Sequence, residues 1–526
     1  PTAPAPTTTA SKSKSAMYWW VADADREAKR GPGSLYDEFS RAAGPDRNEA
    51  IRIQAPPSPA AILPSARRRP KVPATAETKT LSDAPADPHP PTGEPELRRT
   101  IGLAQMVFYA SGSMLGAGIY GLVGKAAGEL GSAVWLGFLV AAVAALLTGL
   151  SYAALGSRYP RAAGAAFITH RAFDNGLLTH VLGLAVACSG LGSIAAGSWV
   201  IGANLQRVPF LSGVPVTVLT LAYLVLMAGI VYRGIRESMW ANVACSIVEA
   251  GGLALIIIVG AKFWGSADLF QTPANPVGGG LLAVPPLLLV QGAVLTFFSF
   301  AGFEDTLNVG EEVKNPRRTL PLGLVIGMLL ACVLYVGVAI TAVSVIPWQY
   351  LAEASAPLAE VMAKAAPWFP GWAFVVITVV AVANSALINY VTASRLLYGM
   401  ARDGRLPSRL ARVHADRRTP HIAIALILVV LMALTMSGDS AELAAATVLL
   451  LLSIFVVVNS ALVVLRLRKD EPRGGFEVPL FVPIAGAVVC LALLVTRMTS
   501  GDWKAPLIAG VLLAGSAALY PLVRPK

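Results

Sequence analysis

Few residues in this chain could do chemistry, and they stand where charge is costly. Glu249 lies in SIVEAGGLALIII with apolar neighbours on both sides, and Glu304 and Asp305 follow SFAGF late in another apolar stretch. A charge at the centre of a bilayer costs about 3 kcal/mol even on lenient scales. No Lys or Arg falls in the middle of any apolar stretch to neutralise these acids. A second resource is the main chain. SGSMLGAG, Ser111 to Gly118, sets glycines and serines inside an apolar run, and LTFFSFAGFEDTLNVG does the same around Gly302. Each glycine weakens a helix interior by about 1 kcal/mol relative to alanine. A helix interrupted halfway across a membrane frees N–H and C=O groups that lipid cannot satisfy and a ligand can. Amides at the start of the resumed helix suit a carboxylate, and the freed carbonyls suit an ammonium.

Each feature also has a plainer reading. Gly112-x-x-x-Gly116 is a spacing by which membrane helices pack. Glu304, close to the Gly302 break, is expected to line a central cavity, whereas Asp305 can face water at a membrane edge. Glu249 is either a protonated carboxyl held by hydrogen bonds inside a bundle or a proton carrier.

The elements that must position these groups are membrane helices. The chain of 526 residues is 55% hydrophobic and 14% charged, with a mean hydropathy of +0.62. Twelve apolar stretches long enough for spans run from 102–125 to 503–523. The two weakened ones are the first and the sixth, separated by five spans. That is the spacing of one five-helix unit repeated with inverted topology. The repeats would be about 102–264 and 285–465, with extra helices at 478–497 and 503–523, and a transporter region of 98–526 in all. Residues 1–97 hold 16 of the 37 prolines without a sustained period, and are expected to form a disordered cytoplasmic tail.

The net charge of +11 follows topology and implies no nucleic-acid partner. With both termini cytoplasmic, 23 of the 42 Lys and Arg fall in inside loops and flanks and six outside, the other 13 lying in the tail. That is the asymmetry of a multi-pass protein of the cytoplasmic membrane. The basic stretch from Ser394, turning at Asp403-Gly404, is read as a topological anchor at the lipid head groups or as a gate latch. Cys188, Cys245, Cys332 and Cys490 are dispersed through apolar runs, so no metal or disulfide framework is expected. There is no HExxH or GxSxG, and Gly124-Lys125 lacks the rest of a P-loop. No enzyme, catalytic residue or cofactor is expected.

GSMLGAGIYGLVG, SYAALGSRYPRAAG, FFSFAGFEDTLNVGEEVKNPRRTLP and SRLLYGMARDGRLP, in this order, resemble the signature stretches of bacterial amino acid permeases of the amino acid/polyamine/organocation (APC) superfamily. The resemblance spans about Leu97 to the C-terminus. It implies an all-α integral membrane protein with a leucine-transporter-like 5+5 inverted repeat plus two C-terminal helices, working by alternating access. The implied substrate site comprises Met114, Gly116, Ala117, Gly118 and Ile119 of the first broken helix and Phe298, Ser299, Phe300, Ala301 and Gly302 of the second. Within it, the amides of Gly116, Ala117 and Gly118 would meet the substrate carboxylate. The carbonyls of Met114, Phe298 and Ala301 would meet its ammonium, with Phe298 or Phe300 closing over the side chain. Glu304 matches a position that is acidic in some relatives and implicated in proton sensing. Glu249 stands where cationic amino acid permeases of this superfamily often carry a lysine, so their lysine mechanism does not carry over directly. Ala165-Ala166-Phe167 replaces a frequent Glu-Tyr pair. The expected partners are an amino acid or related amine, protons and the lipid bilayer. Exchange of one amino acid for another and a non-transporting nutrient sensor are the alternatives.

Overall fold

The computed structural model describes residues 99–523, apart from 161–163, 234–238, 276, 403–405, 416, 418 and 500–502. The expected tail at 1–97, the turn at Asp403-Gly404 and the last basic residues lie outside the described residues. Among those described, helix is the regular structure, joined by irregular connections, with only two isolated β-bridges.

Among the described residues sixteen α-helices follow one another: α1 Leu103–Met114, α2 Ala117–Leu130, α3 Val134–Arg158, α4 Gly164–Phe173, α5 Gly176–Leu205, α6 Val216–Arg233, α7 Met239–Gly260, α8 Pro286–Phe297, α9 Pro316–Val345, α10 Trp348–Glu353, α11 Pro357–Ala365, α12 Gly371–Arg402, α13 His421–Ser437, α14 Ser440–Leu467, α15 Phe481–Met498 and α16 Lys504–Val523. Among the described residues, ten helical stretches are long and apolar enough to cross a membrane. Helical segments occupy all twelve stretches marked by the sequence. The lower count arises because Ala117–Arg158 runs on as one apolar stretch, α1 has only 12 residues, and α13 has 17. At 1.5 Å per residue the last is slightly short of a 30 Å hydrocarbon core. This is a multi-pass membrane protein.

Local signals set several boundaries. Asp439 caps α14 by accepting from the amides of Ala441 (2.9 Å) and Glu442 (2.8 Å), while Glu442 accepts from the Asp439 amide. This reciprocal pair satisfies orphan donors of the first turn. Asn175 caps α5 by a single bond, its side-chain oxygen accepting from the Leu178 amide at 3.0 Å. Asn315 and Pro316 open α9, the proline occupying a position whose N–H has no helical partner anyway. Residues such as Val143, Leu226, Ile258 and Val429 point apolar side chains outward, as a lipid-facing surface requires. The peripheral α16 is the least covered of the long helices.

At one end of the bundle, the segment between α14 and α15 folds back onto the C-terminus of α3 and onto α4. Arg158 donates to both oxygens of Glu477, at 2.8 and 3.0 Å. Arg171 (2.8 Å) and the Tyr159 hydroxyl (2.7 Å) both donate to Glu471. Burial alone would raise both glutamates, but the hydrogen bonds and the charges of Arg158, Arg466, Arg171 and Arg468 outweigh it and hold them below the usual carboxylate range. Burial, then the bond to Glu471, pushes the Tyr159 phenol up to about 12.

Candidate functional site

The first weak stretch does break. α1 closes with the Leu115 amide donating to Ser111 at 2.8 Å. Leu115 then leaves the helical region (φ −73°, ψ 80°), Gly116 extends (φ −147°, ψ −139°), and α2 begins at Ala117 with no side-chain cap. The first-turn amides of α2 therefore have no acceptor from their own helix. The second stretch breaks differently. α8 tightens into a single turn over Phe298–Phe300, Ala301 is extended, and Gly302 takes φ 116°. The chain resumes over Phe303–Glu312 as a narrow 3-10 winding rather than an α-helix. A side chain is unfavourable at the Gly302 dihedrals, and a β-carbon there would run into the carbonyl of Ser113. Gly118 is likewise pressed against the main chain of Ser299.

The two interruptions thus lie side by side, and two hydroxyls join them. The Ser113 hydroxyl donates to the Gly302 carbonyl at 2.9 Å. The Tyr335 hydroxyl, from the middle of α9, lies 2.8 Å from both the Met114 and the Ser299 carbonyls. It has one proton to share between them. At the base, the Thr100 and Ile101 amides donate to the Glu312 carbonyl, and the Lys314 amide donates to Ile101. The start of the first broken segment is thereby tied to the end of the second.

Met114, Ala117, Gly118 and Ile119 are buried, as are Phe298, Ser299 and Phe300. Ala301 is half-buried. The Met114 carbonyl already accepts from Tyr335, and the Phe298 carbonyl accepts the Ala301 amide at 3.1 Å. Each keeps a second lone pair. Phe300 stands edge-on to Tyr335, ring centres 5.1 Å apart.

Of the acids, Glu304 turns back on its own loop and accepts the Gly302 amide at 2.9 Å, which steadies the left-handed turn. Asp305 does not face water as expected. It is 5% exposed, its carboxylate accepting from Asn308, because the 3-10 winding turns it inward beside Glu304. Together with Ser189 and Gly190 of α5 and Asn389 and Thr392 of α12, the two acids line a cavity of about 20 Å³, room for a water or so. The cavity adjoins the second interruption on the side of α5 and α12, rather than lying between the two. Glu249 is fully buried on α7, and among the described residues neither carboxyl oxygen has a hydrogen-bond partner.

Sequence reasoning missed Tyr335, Ser113 and Asn384. The available signal was a polar side chain inside an apolar run, as in ACVLYVGV and VVAVANSALIN, which marks a functional or packing constraint in lipid.

The chain matches a family model described as amino acid permease over residues 101–509. It belongs to this family. An uncharacterized transporter of Mycobacterium tuberculosis is 31% identical over 76% of the chain and 86% of the relative. The branched-chain amino acid permease BcaP of Bacillus subtilis is 29% identical, covering 76% and 88%. The mouse cationic amino acid transporter 4 is 29% identical, covering 72% and 61%. For this amino acid permease family member, the weakened stretches read from the sequence each contain a break in the helix, at Leu115-Gly116 and at Ala301-Gly302.

Proposed function

We propose that this permease carries an amino acid or related amine across the cytoplasmic membrane by alternating access, as a secondary active transporter coupled to protons. The architecture of this reading is two inverted repeats, about 102–264 and 285–465, followed by helices 478–497 and 503–523. Both termini and the 1–97 tail are on the cytoplasmic side. The substrate carboxylate meets the amides of Gly116, Ala117 and Gly118, and its ammonium meets the carbonyls of Met114, Phe298 and Ala301. Glu249 and Glu304 carry or sense the proton.

The observation that carries this reading is the pair of interruptions lying side by side and bonded through Ser113 and Tyr335. A main-chain carbonyl that accepts from a hydroxyl keeps a second lone pair for a ligand, and the single Tyr335 proton can stay with one of its two carbonyls while the other turns to a ligand. Binding energy then need only shift the balance between states, so exchanging one set of hydrogen bonds for another suffices. Exchange of amino acids is the second reading. The buried Glu249, whose carboxyl has no hydrogen-bond partner among the described residues, favours protons, because such a carboxyl can enter a moving step neutral and leave it charged.

The test is uptake of L-leucine and of L-arginine, each alone, into proteoliposomes of the full chain; the relatives' names refer to branched-chain and cationic amino acids. Accumulation driven by an inward proton gradient supports the reading. Uptake only when the same amino acid is preloaded inside indicates exchange. Binding of both without any movement would make the protein a sensor and overturn transport.

A further inference from the structure

The arginines of this protein fall into two groups. Those around the α14–α15 connection are engaged within the fold: Arg158 and Arg171 pair with Glu477 and Glu471, and Arg468 donates to the carbonyls of Arg171 and Ala172, each at 2.8 Å. Those of the α12–α13 connection and of the end of α6 are not. Arg233, Arg409, Arg412 and Arg417 are exposed, and among the described residues none of them has an acidic partner. The connection that carries three of them is nevertheless anchored. Leu406 and Leu410 are buried with Met400, Ala401 and Ala423. The His414 amide donates to the Thr419 carbonyl at 2.9 Å, and the Thr419 hydroxyl donates to the Tyr232 carbonyl at 3.1 Å. Tyr232, one residue before the end of α6, is flanked by two side chains of that connection. His414 stands edge-on to it with ring centres 5.7 Å apart, and the Arg417 guanidinium lies over its ring, 4.6 Å from the centre. A guanidinium seated over a ring keeps N–H donors along its edges for a bidentate oxyanion.

We propose that Arg417 on Tyr232, with Arg233 next to it in the chain, binds the head group of an anionic phospholipid whose acyl chains lie along α6 and α13. Charge selects the head. Two permanent cations meet at Tyr232, one on its ring and one in the following residue, and no carboxylate among the described residues neutralises either. Apolar surface selects the tail. On the face of α6 that bears Tyr232, Val225 and Val218 come seven and fourteen residues earlier, about 10 and 21 Å along the helix. They are 49% and 53% exposed. α13 packs against α6 and exposes Leu426 and Val429. Other apolar stripes of the bundle also face outward; this one ends at unneutralised arginines. A soluble phosphate would use the cations and leave the stripe bare. A zwitterionic lipid would cover the stripe but bring its own ammonium to the arginines. A lipid with a net negative head satisfies both, and Tyr232 stands at the boundary between them, where an amphipathic ring belongs. The inference concerns the lipid-facing surface and holds whichever amino acid is carried.

The test is native mass spectrometry of the purified, delipidated full chain in detergent, titrated with phosphatidylglycerol and, separately, with phosphatidylcholine of the same acyl chains. The proposal expects phosphatidylglycerol to be retained in preference. Its affinity should fall about fivefold in Arg417→Gln, the loss that goes with one cation at a membrane surface, and further in the double variant with Arg233→Gln. Both side chains are exposed, so their replacement leaves the core as it is. Lys364→Gln, at an exposed position on α11, removes the same charge elsewhere and should leave the affinity unchanged. Equal retention of the two lipids overturns the proposal, as does phosphatidylglycerol binding that survives intact in the double variant. An equal loss in Lys364→Gln and Arg417→Gln overturns it by tracing the binding to net charge. Displacement of the lipid by glycerol phosphate at matched concentration overturns it as well, by making Arg417 part of a site for a soluble anion.

Discussion

Glu249 and Glu477 are two carboxylates of the same bundle with opposite surroundings. Glu477 accepts both oxygens' worth of hydrogen bonds from Arg158, a third from the Gly474 amide, and has Arg466 at 3.6 Å. Glu249 is more deeply buried, and among the described residues its carboxyl has no hydrogen-bond partner. A fully paired acid at the end of a bundle ties elements together, here the α14–α15 connection to the end of α3. An unpaired acid in the interior contributes little to holding the fold, so its presence calls for another reason. Stability and transport should therefore respond in opposite ways to changes at the two sites.

The largest effect on stability is expected at the paired site. Arg158→Ala leaves Glu477 with only the Gly474 amide and the more distant Arg466 and should cost about 2 kcal/mol, the scale of a charged hydrogen bond, read as a lowered midpoint in thermal unfolding of the purified protein. An unchanged midpoint would mean that the connection between α14 and α15 is not held by charge. Tyr335→Phe comes next. Two buried carbonyls lose their shared donor, for about 1–2 kcal/mol, and uptake should fall further than stability does if the hydroxyl also serves the moving state. A smaller contribution is set by pH. Glu471 and Glu477 lie below the usual carboxylate range in the folded protein, so the stability they supply is complete above about pH 4.3, the unfolded value. It is lost as pH falls through their folded values. The double variant Glu471→Gln with Glu477→Gln should flatten the thermal midpoint across that acid window, where wild type declines. The smallest stability effect belongs to Glu249→Gln, within about 1 kcal/mol of wild type. The same variant should keep substrate binding and lose all acceleration of uptake by an inward proton gradient. A strongly destabilised Glu249→Gln would erase the contrast between the two carboxylates.

The broken helices were legible in the sequence because glycine and serine in an apolar run weaken a helix whatever surrounds it, and Leu115-Gly116 and Ala301-Gly302 are where the main chain departs. The form of the second break was not legible. Nothing local to FEDTLNVGEE chooses between α and 3-10 winding, and the choice brought Asp305 inward beside Glu304. Tyr335, Asn242 and Asn384 were invisible as site residues for the same reason. Each is a polar residue within a mostly apolar run, and periodicity assigns no partner across 142 residues of chain, as between Asn242 and Asn384.

By itself the sequence determined that the chain lives in a membrane, where its helices run and where two of them fail, because hydropathy and backbone propensity act over a few residues at a time. Only the tertiary structure decided which carbonyls a tyrosine from a distant helix would hold, which acids would be paired and which left alone. Those outcomes depend on how close separate helices come, a distance set by the packing of the whole bundle.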